Sequence, residues 1–170
     1  MTRDCCQVSH YNLSHLSGDV FMKYVFGTDD CPRYRFPTHA NDLVLDRSDA
    51  TNSEVFITVL EPGQAPPFHK HDDMEQIFYI LQGEGTLTVG AEKREFHIVS
   101  GQLVRIPPST LHSIEATGNI TLRYIAVDCF GASRAGSERT WDEHVQIVCQ
   151  ERGWDYANVV AEGEFGRASR

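Results

Sequence analysis

Three histidines carry the most informative chemistry in this sequence of 170 residues. His69 and His71 are separated by one residue, so in an extended segment their side chains point to the same side of the chain. His112 opens a later run in which His112, Ile114 and Ala116 alternate with polar residues, so its side chain should point inward. Imidazole is the commonest metal ligand among side chains. The pattern therefore predicts that the three histidines bind one divalent metal ion.

Glycine and proline residues frame these histidines. Gly63 precedes the His-x-His segment and Gly83 follows it, while Gly101 and Pro107 precede His112. Such residues supply turn geometry, so each group of ligands should lie beside a turn between two short strands. Because this joint spacing is hard to obtain by chance, it strengthens the prediction of a metal site.

The sequence resembles the cupin superfamily in both of that family's motifs. The first motif runs Gly, five residues, His-x-His, three or four residues, Glu, six residues, Gly, and the segment from Gly63 to Gly83 is similar to it. The second runs Gly, five residues, Pro-x-Gly, two residues, His. Gly101, Pro107 and His112 match this second motif, and Ser109 stands where the family has Gly.

The resemblance covers about residues 54 to 128 and has consequences for fold and site. It implies a double-stranded β-helix, the jelly-roll barrel of the cupins, with six to eight strands. It also implies one metal site in the barrel mouth, formed by the two histidines and the acid of the first motif together with the histidine of the second.

Two adjacent residues are candidates for the fourth ligand. Gln76 is separated from Gly83 by the six residues of the family motif, whereas the acidic Glu75 lies four positions after His71. The family spacing with four intervening residues selects Gln76, and some cupins use glutamine there, so Gln76 is favoured and Glu75 is the alternative. Strand alternation does not separate them, because the residues after Gln76 are apolar on both faces.

The choice of fourth ligand affects the chemistry of the metal. Three neutral imidazoles and an amide leave a divalent ion with its full charge, whereas a carboxylate cancels one unit. A site with Gln76 should therefore be the stronger Lewis acid and favour an anionic substrate such as a carboxylate or enolate. Nitrogen and oxygen ligands suit Fe, Mn, Ni, Co or Zn and do not distinguish among them.

Composition argues against several other classes of protein. The sequence has 15 basic and 24 acidic residues, a net charge of −9 and no basic stripe, so no nucleic-acid partner is expected. It contains no apolar run of about 18 residues, so no membrane span is predicted. The N-terminus lacks the apolar stretch of a secretory signal, and five cysteines without C-x-x-C spacing predict reduced thiols. We therefore expect a cytoplasmic protein.

Short strands must position the ligands. Residues 41–130 are interpreted as the cupin barrel, because β-rich runs alternate there with turn residues and show no helical period. The fold class is therefore all-β. The predicted strands are Asp42 to Leu45, Glu54 to Leu60, Ile77 to Leu81, Thr86 to Val89, Glu95 to Val99, Leu103 to Ile106, His112 to Ala116 and Thr121 to Asp128.

Both flanks of the barrel differ from it in pattern. Residues 1–40 are interpreted as an N-terminal arm of short strands and loops. Residues 131–170 should form one short C-terminal helix, packed on the outside of the barrel, and a loose tail. Thr140 and Glu143 form a capping box at the start of this helix, and Gly153 should end it.

The remaining polar residues near the motifs have ordinary interpretations. Asp72, Asp73 and Glu75 could supply a general base, but charge clusters of this kind more often form a solvated loop. The other histidines are interpreted as surface or hydrogen-bonded residues; they are His10, His15, His39, His97 and His144.

Two functions from different classes are consistent with the sequence. The resemblance suggests a metal-dependent enzyme on a small organic substrate, either an oxidoreductase such as a dioxygenase or an isomerase or lyase on a sugar or keto acid. A non-catalytic protein that binds a small ligand is the alternative. Phe68, Phe78, Ile106 and Ile114 are expected to line the substrate pocket. We also expect a homodimer, because strand-like pieces of the arm lack partners and cupins commonly exchange such strands.

Overall fold

The computed structural model describes residues 23–29, 31–131 and 138–161. Most of the predicted arm and the C-terminal end of the predicted tail lie outside these described residues. The elements are β1 (Arg33–Phe36), β2 (His39–Leu45), β3 (Ser53–Leu60), β4 (Met74–Gln82), β5 (Glu84–Val89), β6 (Arg94–Val99), β7 (Leu103–Ile106), β8 (His112–Ala116), β9 (Leu122–Phe130), α1 (Trp141–Arg152) and α2 (Tyr156–Ala161).

The strands form two antiparallel sheets. The larger sheet has the order β1-β2-β3-β9-β4-β7, and the smaller has the order β6-β5-β8. Backbone hydrogen bonds join the segment after β3 to the smaller sheet: Gly63 donates to Ala116, and Ala116 donates to Gln64. The predicted all-β jelly-roll barrel is confirmed.

Alternation of side chains builds the core. In β9 every second residue is buried, from Leu122 to Phe130, and β4 buries Met74, Gln76, Phe78 and Ile80 in the same way. This is the period of a strand with one face in the core. All eight predicted strands have counterparts in the structure. The short strand β1 lies in the segment predicted as an arm of short strands and loops, for which no individual strand was specified.

Helix α1 has the predicted ends but a different position from the predicted one. The Glu143 backbone N–H donates to the Thr140 hydroxyl at 3.1 Å, and Gly153 ends the helix with a φ of 68°. We expected the helix on the outside of the barrel. Instead, Trp141 packs against Phe56, an inward side chain of β3, with ring centroids 4.8 Å apart. The large indole is buried there, and this contact holds the helix over the barrel mouth.

A second helix, α2, follows α1 and was not predicted. It packs against β1, and its Val159 is buried in the same core. Neither helix in the described part of the chain has the length and apolar character needed to cross a membrane.

Gly83 and Gly63 provide a matched test of the barrel's packing. Their φ angles are 80° and 82°, but a Cβ at Gly83 would lie 2.8 Å from the Thr121 carbonyl oxygen, whereas nothing lies within 4 Å at Gly63. We predict that Gly83→Ala lowers the free energy of unfolding by about 2–4 kcal/mol, from positive φ and steric overlap together. Gly63→Ala should cost only about 1 kcal/mol. Urea denaturation measures both, and equal losses would contradict the packing argument.

Candidate metal centre

Three histidines converge at the barrel mouth. His69 and His112 form an isolated antiparallel bridge, in which the His112 N–H donates to the His69 carbonyl at 2.8 Å and the His69 N–H donates to the His112 carbonyl at 3.1 Å. The Ser109 N–H donates to the His71 carbonyl at 2.6 Å, which ties this segment to the turn before β8. One ring nitrogen of each histidine lies within 4.8 Å of the others. The three could therefore bind a single cation.

Backbone carbonyls orient two of the rings. The Nδ1 atom of His69 lies 2.7 Å from the Pro67 carbonyl oxygen, and that of His112 lies 3.0 Å from the Thr110 carbonyl oxygen. A carbonyl only accepts, so each Nδ1 carries the proton and each Nε2 keeps its lone pair. Hydrogen bonds of this kind fix the tautomer of histidines that bind metals.

Burial keeps the imidazoles neutral. Desolvation, with help from the neighbouring imidazoles, lowers the pKa of His71 to about 3 and that of His112 to about 4. Desolvation also lowers the pKa of His69. At neutral pH the three rings are therefore unprotonated, which is the form that binds a metal.

Gln76 lies on the inner face of β4 and lines the same cavity as the three histidines. Its Nε2 donates to Asp128 Oδ1 at 2.8 Å. Within the described residues, its buried Oε1 has no hydrogen-bond partner, and neither does the buried Nε2 of His71. Buried polar atoms without partners are rare, and a cation would satisfy both. Three imidazole nitrogens and one amide oxygen fit a divalent transition metal.

Glu75, the alternative fourth ligand, lies on the other face of β4. Its carboxylate forms an ion pair with Arg105 of β7. It does not line the cavity that contains Gln76 and the histidines. The outer face of β4 is apolar beyond this pair, with Tyr79 45% exposed, which is why the hydrophobic pattern alone did not separate the two residues.

A row of buried polar side chains lies behind Gln76. The register of the sheet places Glu54 of β3 opposite Asp128 of β9, and Asp128 opposite Gln76 of β4. Glu54 accepts from Nε and Nη2 of Arg47 at 2.6 and 2.7 Å. Burial, and then the neighbouring Glu54 charge, raises the pKa of Asp128 well above its ordinary value.

Sequence reasoning missed this polar row. The available signal was that Glu54 and Asp128 each occupy a position on the apolar face of a strand, in step with Phe56 and Ala126. A charged residue in such a position is almost always paired when it is buried. The pattern could have indicated buried partners, but the identity of those partners depends on strand order.

The histidines open into a cavity of about 250 Å³. Phe78 and Ile114, two of the residues expected at the substrate pocket, line this cavity, and Tyr124 contributes from β9. Phe68 and Ile106 are not among the lining residues. Ile106 is buried in the core, and the Phe68 ring lies under the Lys93 ammonium. The cavity is of a size suited to a small organic molecule.

Helix α1 supplies one wall of the cavity with residues that the motifs did not identify. His144 lines it, and its Nδ1–H donates to Glu138 Oε2 at 3.0 Å. Glu138 also accepts from Arg47 Nη1 at 2.8 Å, and its hydrogen bond with His144 lowers its pKa to about 2. Arg152 and Lys70 bring two positive charges to the rim. Only the tertiary packing of α1 brings His144 and Arg152 to the site.

The remaining residues considered in the sequence lie at the surface or elsewhere in the cavity wall. Asp72 is exposed and accepts from Lys70 and Ser109, which agrees with a solvated loop. His97 is exposed on β6. His39, which was interpreted as an ordinary surface or hydrogen-bonded residue, lines the cavity and stacks on Phe36 with ring centroids 4.6 Å apart.

Comparison with known proteins gives the family. Residues 56–128 match the model of the cupin domain family, and solved structures with the double-stranded β-helix fold align with the chain. The barrel of this chain is thus that of a cupin domain. The family match covers less than half of the chain, so it defines the barrel and not the segments on either side.

Individual relatives match the barrel only. An uncharacterised protein of Methanocaldococcus jannaschii is 39% identical over 67 residues, which are 39% of this chain and 52% of that protein. An oxalate-binding protein of Thermotoga maritima is 37% identical over 68 residues, which are 40% of this chain and 54% of that protein. The chain thus spans about half the length of these curated relatives.

One solved structure illustrates the shared fold. The crystal structure of a predicted oxalate decarboxylase from Thermotoga maritima aligns with a TM-score of 0.59 and 24% identity, covering 64% of this chain and all of that one. At this identity, the likeness establishes the fold and not the reaction.

The lowered histidine pKa values predict how stability depends on pH. Folded His71 has a pKa of about 3, against an ordinary 6.5, so below pH 6.5 the unfolded chain binds a proton that the folded chain does not. The free energy of unfolding of the metal-free protein should therefore fall as pH falls from 6.5 towards 4. His71→Asn should remove about 1 kcal/mol per pH unit from this slope.

Urea denaturation at pH 7, 6 and 5 in the presence of a chelator measures the two slopes. The raised pKa of Asp128 has the opposite effect on stability. Its folded carboxyl holds a proton that the unfolded chain releases, so this contribution lowers the free energy of unfolding as pH rises. Because Asp128 is common to both proteins, the difference between the slopes isolates His71. Identical slopes would mean that the imidazole of His71 is solvated.

Proposed function

We propose that this cupin binds one divalent metal ion through His69, His71, His112 and Gln76 and acts on a small anionic organic molecule in the adjoining cavity. The reaction class that we propose is that of a metal-dependent oxidoreductase such as a dioxygenase. The observation that carries the proposal is a pair of buried atoms, His71 Nε2 and Gln76 Oε1, that have no hydrogen-bond partner in the described part of the chain and lie beside two further oriented imidazoles.

Charge supports an anionic ligand. All four proposed ligands are neutral, and Glu75 is paired with Arg105 on the other face of β4, so the metal would keep its full charge. The rim adds little to this attraction, because Lys70 is paired with Asp72 and Arg152 lines the cavity together with Glu151. The name of the oxalate-binding relative from Thermotoga maritima also supports a carboxylate ligand.

The chain's own residues would bind the substrate and shield it from water. When bound, a divalent ion supplies a Lewis acid that polarises an oxygen of the substrate. Phe78 and Trp141 supply apolar parts of the cavity wall, which would reduce the water around a bound molecule. The Nδ1 of His144 is engaged by Glu138, which leaves Nε2 to accept a proton from the bound molecule or return one to it.

Metal titration of single variants tests the ligand set. The wild-type protein should bind one metal ion per chain, and His71→Ala or His112→Ala should weaken binding by at least about 100-fold, because a three-donor site loses both a bond and its geometry. Gln76→Ala should weaken binding by about 10- to 100-fold, whereas the matched change Glu75→Ala should leave it unchanged. Isothermal titration with Co²⁺ and Zn²⁺ measures both. If Glu75→Ala weakened metal binding and Gln76→Ala did not, the fourth ligand would be Glu75.

Oxygen consumption tests the reaction class. The Fe(II)-loaded protein should consume O₂ with at least one member of a panel of carboxylates, diketones, phenols and thiols, and the His71→Ala variant should not. An isomerase or lyase acting on a sugar or keto acid would instead convert its substrate without O₂.

A non-catalytic ligand-binding protein is the second candidate, favoured by the name of the oxalate-binding relative. Tight binding of a carboxylate by the fully metal-loaded protein, with no turnover across the panel, would select this function. Calorimetric titration of oxalate into the Mn²⁺-loaded and metal-free proteins measures it.

Oligomeric state, location in the cell and the division of the chain into segments are further parts of the proposal. We propose a homodimer, a cytoplasmic location, and a division into an arm at 1–40, a barrel at 41–130 and a helix with tail at 131–170. Light scattering at micromolar concentration should give a particle of two chains. A particle of one chain would exclude the exchange of strands between copies.

A further inference from the structure

The fourth ligand has an orientation requirement that the histidines do not share. A glutamine side chain ends in an oxygen, which can bind a cation, and in an NH₂ group, which cannot. Gln76 can act as a ligand only if its amide is held with Oε1 towards the three imidazoles. A partner that accepts a hydrogen bond from Nε2 enforces this orientation.

Asp128 is that partner, and it is itself held in place. Its Oδ1 lies 2.8 Å from Gln76 Nε2, and both side chains are more than nine-tenths buried. β9 lies between β3 and β4, so Asp128 is flanked by Glu54 on one side and Gln76 on the other. Glu54 is in turn fixed by two hydrogen bonds from Arg47, which is also buried.

We propose that Asp128, held by the Arg47–Glu54 pair, is a positioning residue that turns the Gln76 amide oxygen towards the metal site. This inference rests on the proposed role of Gln76 as a ligand. It extends that role to a row of side chains across three strands, none of which contacts the cation except Gln76. The row acts through the orientation of one amide.

The same row explains why an amide suits this position. A glutamate at position 76 would place a third carboxylate in line with Glu54 and Asp128, with Arg47 as the cation that contacts the row. Taking such a charge out of water is costly unless it is paired. An amide instead donates to Asp128 on one side and presents oxygen to the cavity on the other.

Substitution of Asp128 tests the inference through metal affinity and the visible spectrum of bound Co²⁺. Asp128→Leu keeps a similar shape but cannot accept a hydrogen bond, and we expect Co²⁺ to bind about 10- to 100-fold more weakly, as is usual when an outer partner of a ligand is lost. The Co²⁺ spectrum of this variant should shift to that of Gln76→Ala. Asp128→Asn should rescue both properties, because its amide donates to Glu54 and its oxygen accepts from Gln76.

A matched control separates positioning from general loss of stability. Asp42 is another buried aspartate in the larger sheet that accepts from an arginine, Arg33, but it does not line the cavity. Asp42→Leu should lower the unfolding temperature while leaving Co²⁺ affinity and spectrum unchanged. If Asp128→Leu behaves in this way too, Asp128 is merely structural and the inference is overturned.

Two further results keep the test decisive. If Asp128→Leu does not fold, the side-chain amide signals of Gln76 in the wild-type protein, assigned by their loss in Gln76→Ala, decide the question. Slow exchange with water, before and after addition of Zn²⁺, supports the hydrogen bond to Asp128, and exchange at the rate of surface glutamines overturns it. If Gln76→Ala leaves metal affinity unchanged, the proposed ligand set fails; if Gln76→Ala weakens it and Asp128→Leu does not, only the positioning role fails.

Discussion

The candidate metal centre depends on the register of β4 against β9, because successive side chains in a strand point to opposite faces. A shift of one residue would bring Glu75 to the inner face and send Gln76 to the outer one. The observed pairing of Gln76 with Asp128, and of Phe78 with Ala126, keeps the amide inside. The bridge between His69 and His112 fixes the opposite side of the site. Backbone hydrogen bonds therefore determine the position of every proposed ligand before any metal binds.

Burial also determines the charge of the site. The histidines are neutral because desolvation lowers their pKa values, and the nearest buried acid, Asp128, has a raised pKa. The negative charge of Glu54 is compensated by Arg47, and that of Glu75 is compensated by Arg105. The Arg47–Glu54 pair is buried, and a buried ion pair is costly to desolvate and contributes little net stability. The consequence of the two pairings is local: the donors that face the cavity are uncharged, so a bound cation would keep its full attraction for an anion.

Part of the cavity wall comes from outside the cupin motifs. Helix α1 closes one side of the cavity with Trp141 and His144, and it also brings Arg152 to the cavity wall. Solved structures of the same fold share the barrel at low sequence identity, and a shared barrel does not determine a reaction. The residues of α1 distinguish this cavity from the bare barrel mouth.

Much of the fold followed from local patterns. Turn residues at short intervals, and strands with one apolar face, predicted eight strands of the barrel, and the capping residues predicted the start and end of α1. Local signals of this kind act within a few residues, so the sequence alone contains them. The short strand β1 has an apolar face of only two residues, Tyr34 and Phe36, which is too short a pattern to define a strand, and its place in the sheet comes from pairing with β2.

The sequence by itself determined the three histidines as a group, because their spacing with glycine and proline is a local pattern. Only the tertiary structure decided what surrounds them. The face occupied by Gln76 depends on register, because both faces of β4 are apolar. The row from Arg47 to Gln76 depends on strand order, and the position of His144 depends on how α1 packs. These are contacts between residues far apart in the chain, and no periodicity within one segment specifies which distant partner it will meet.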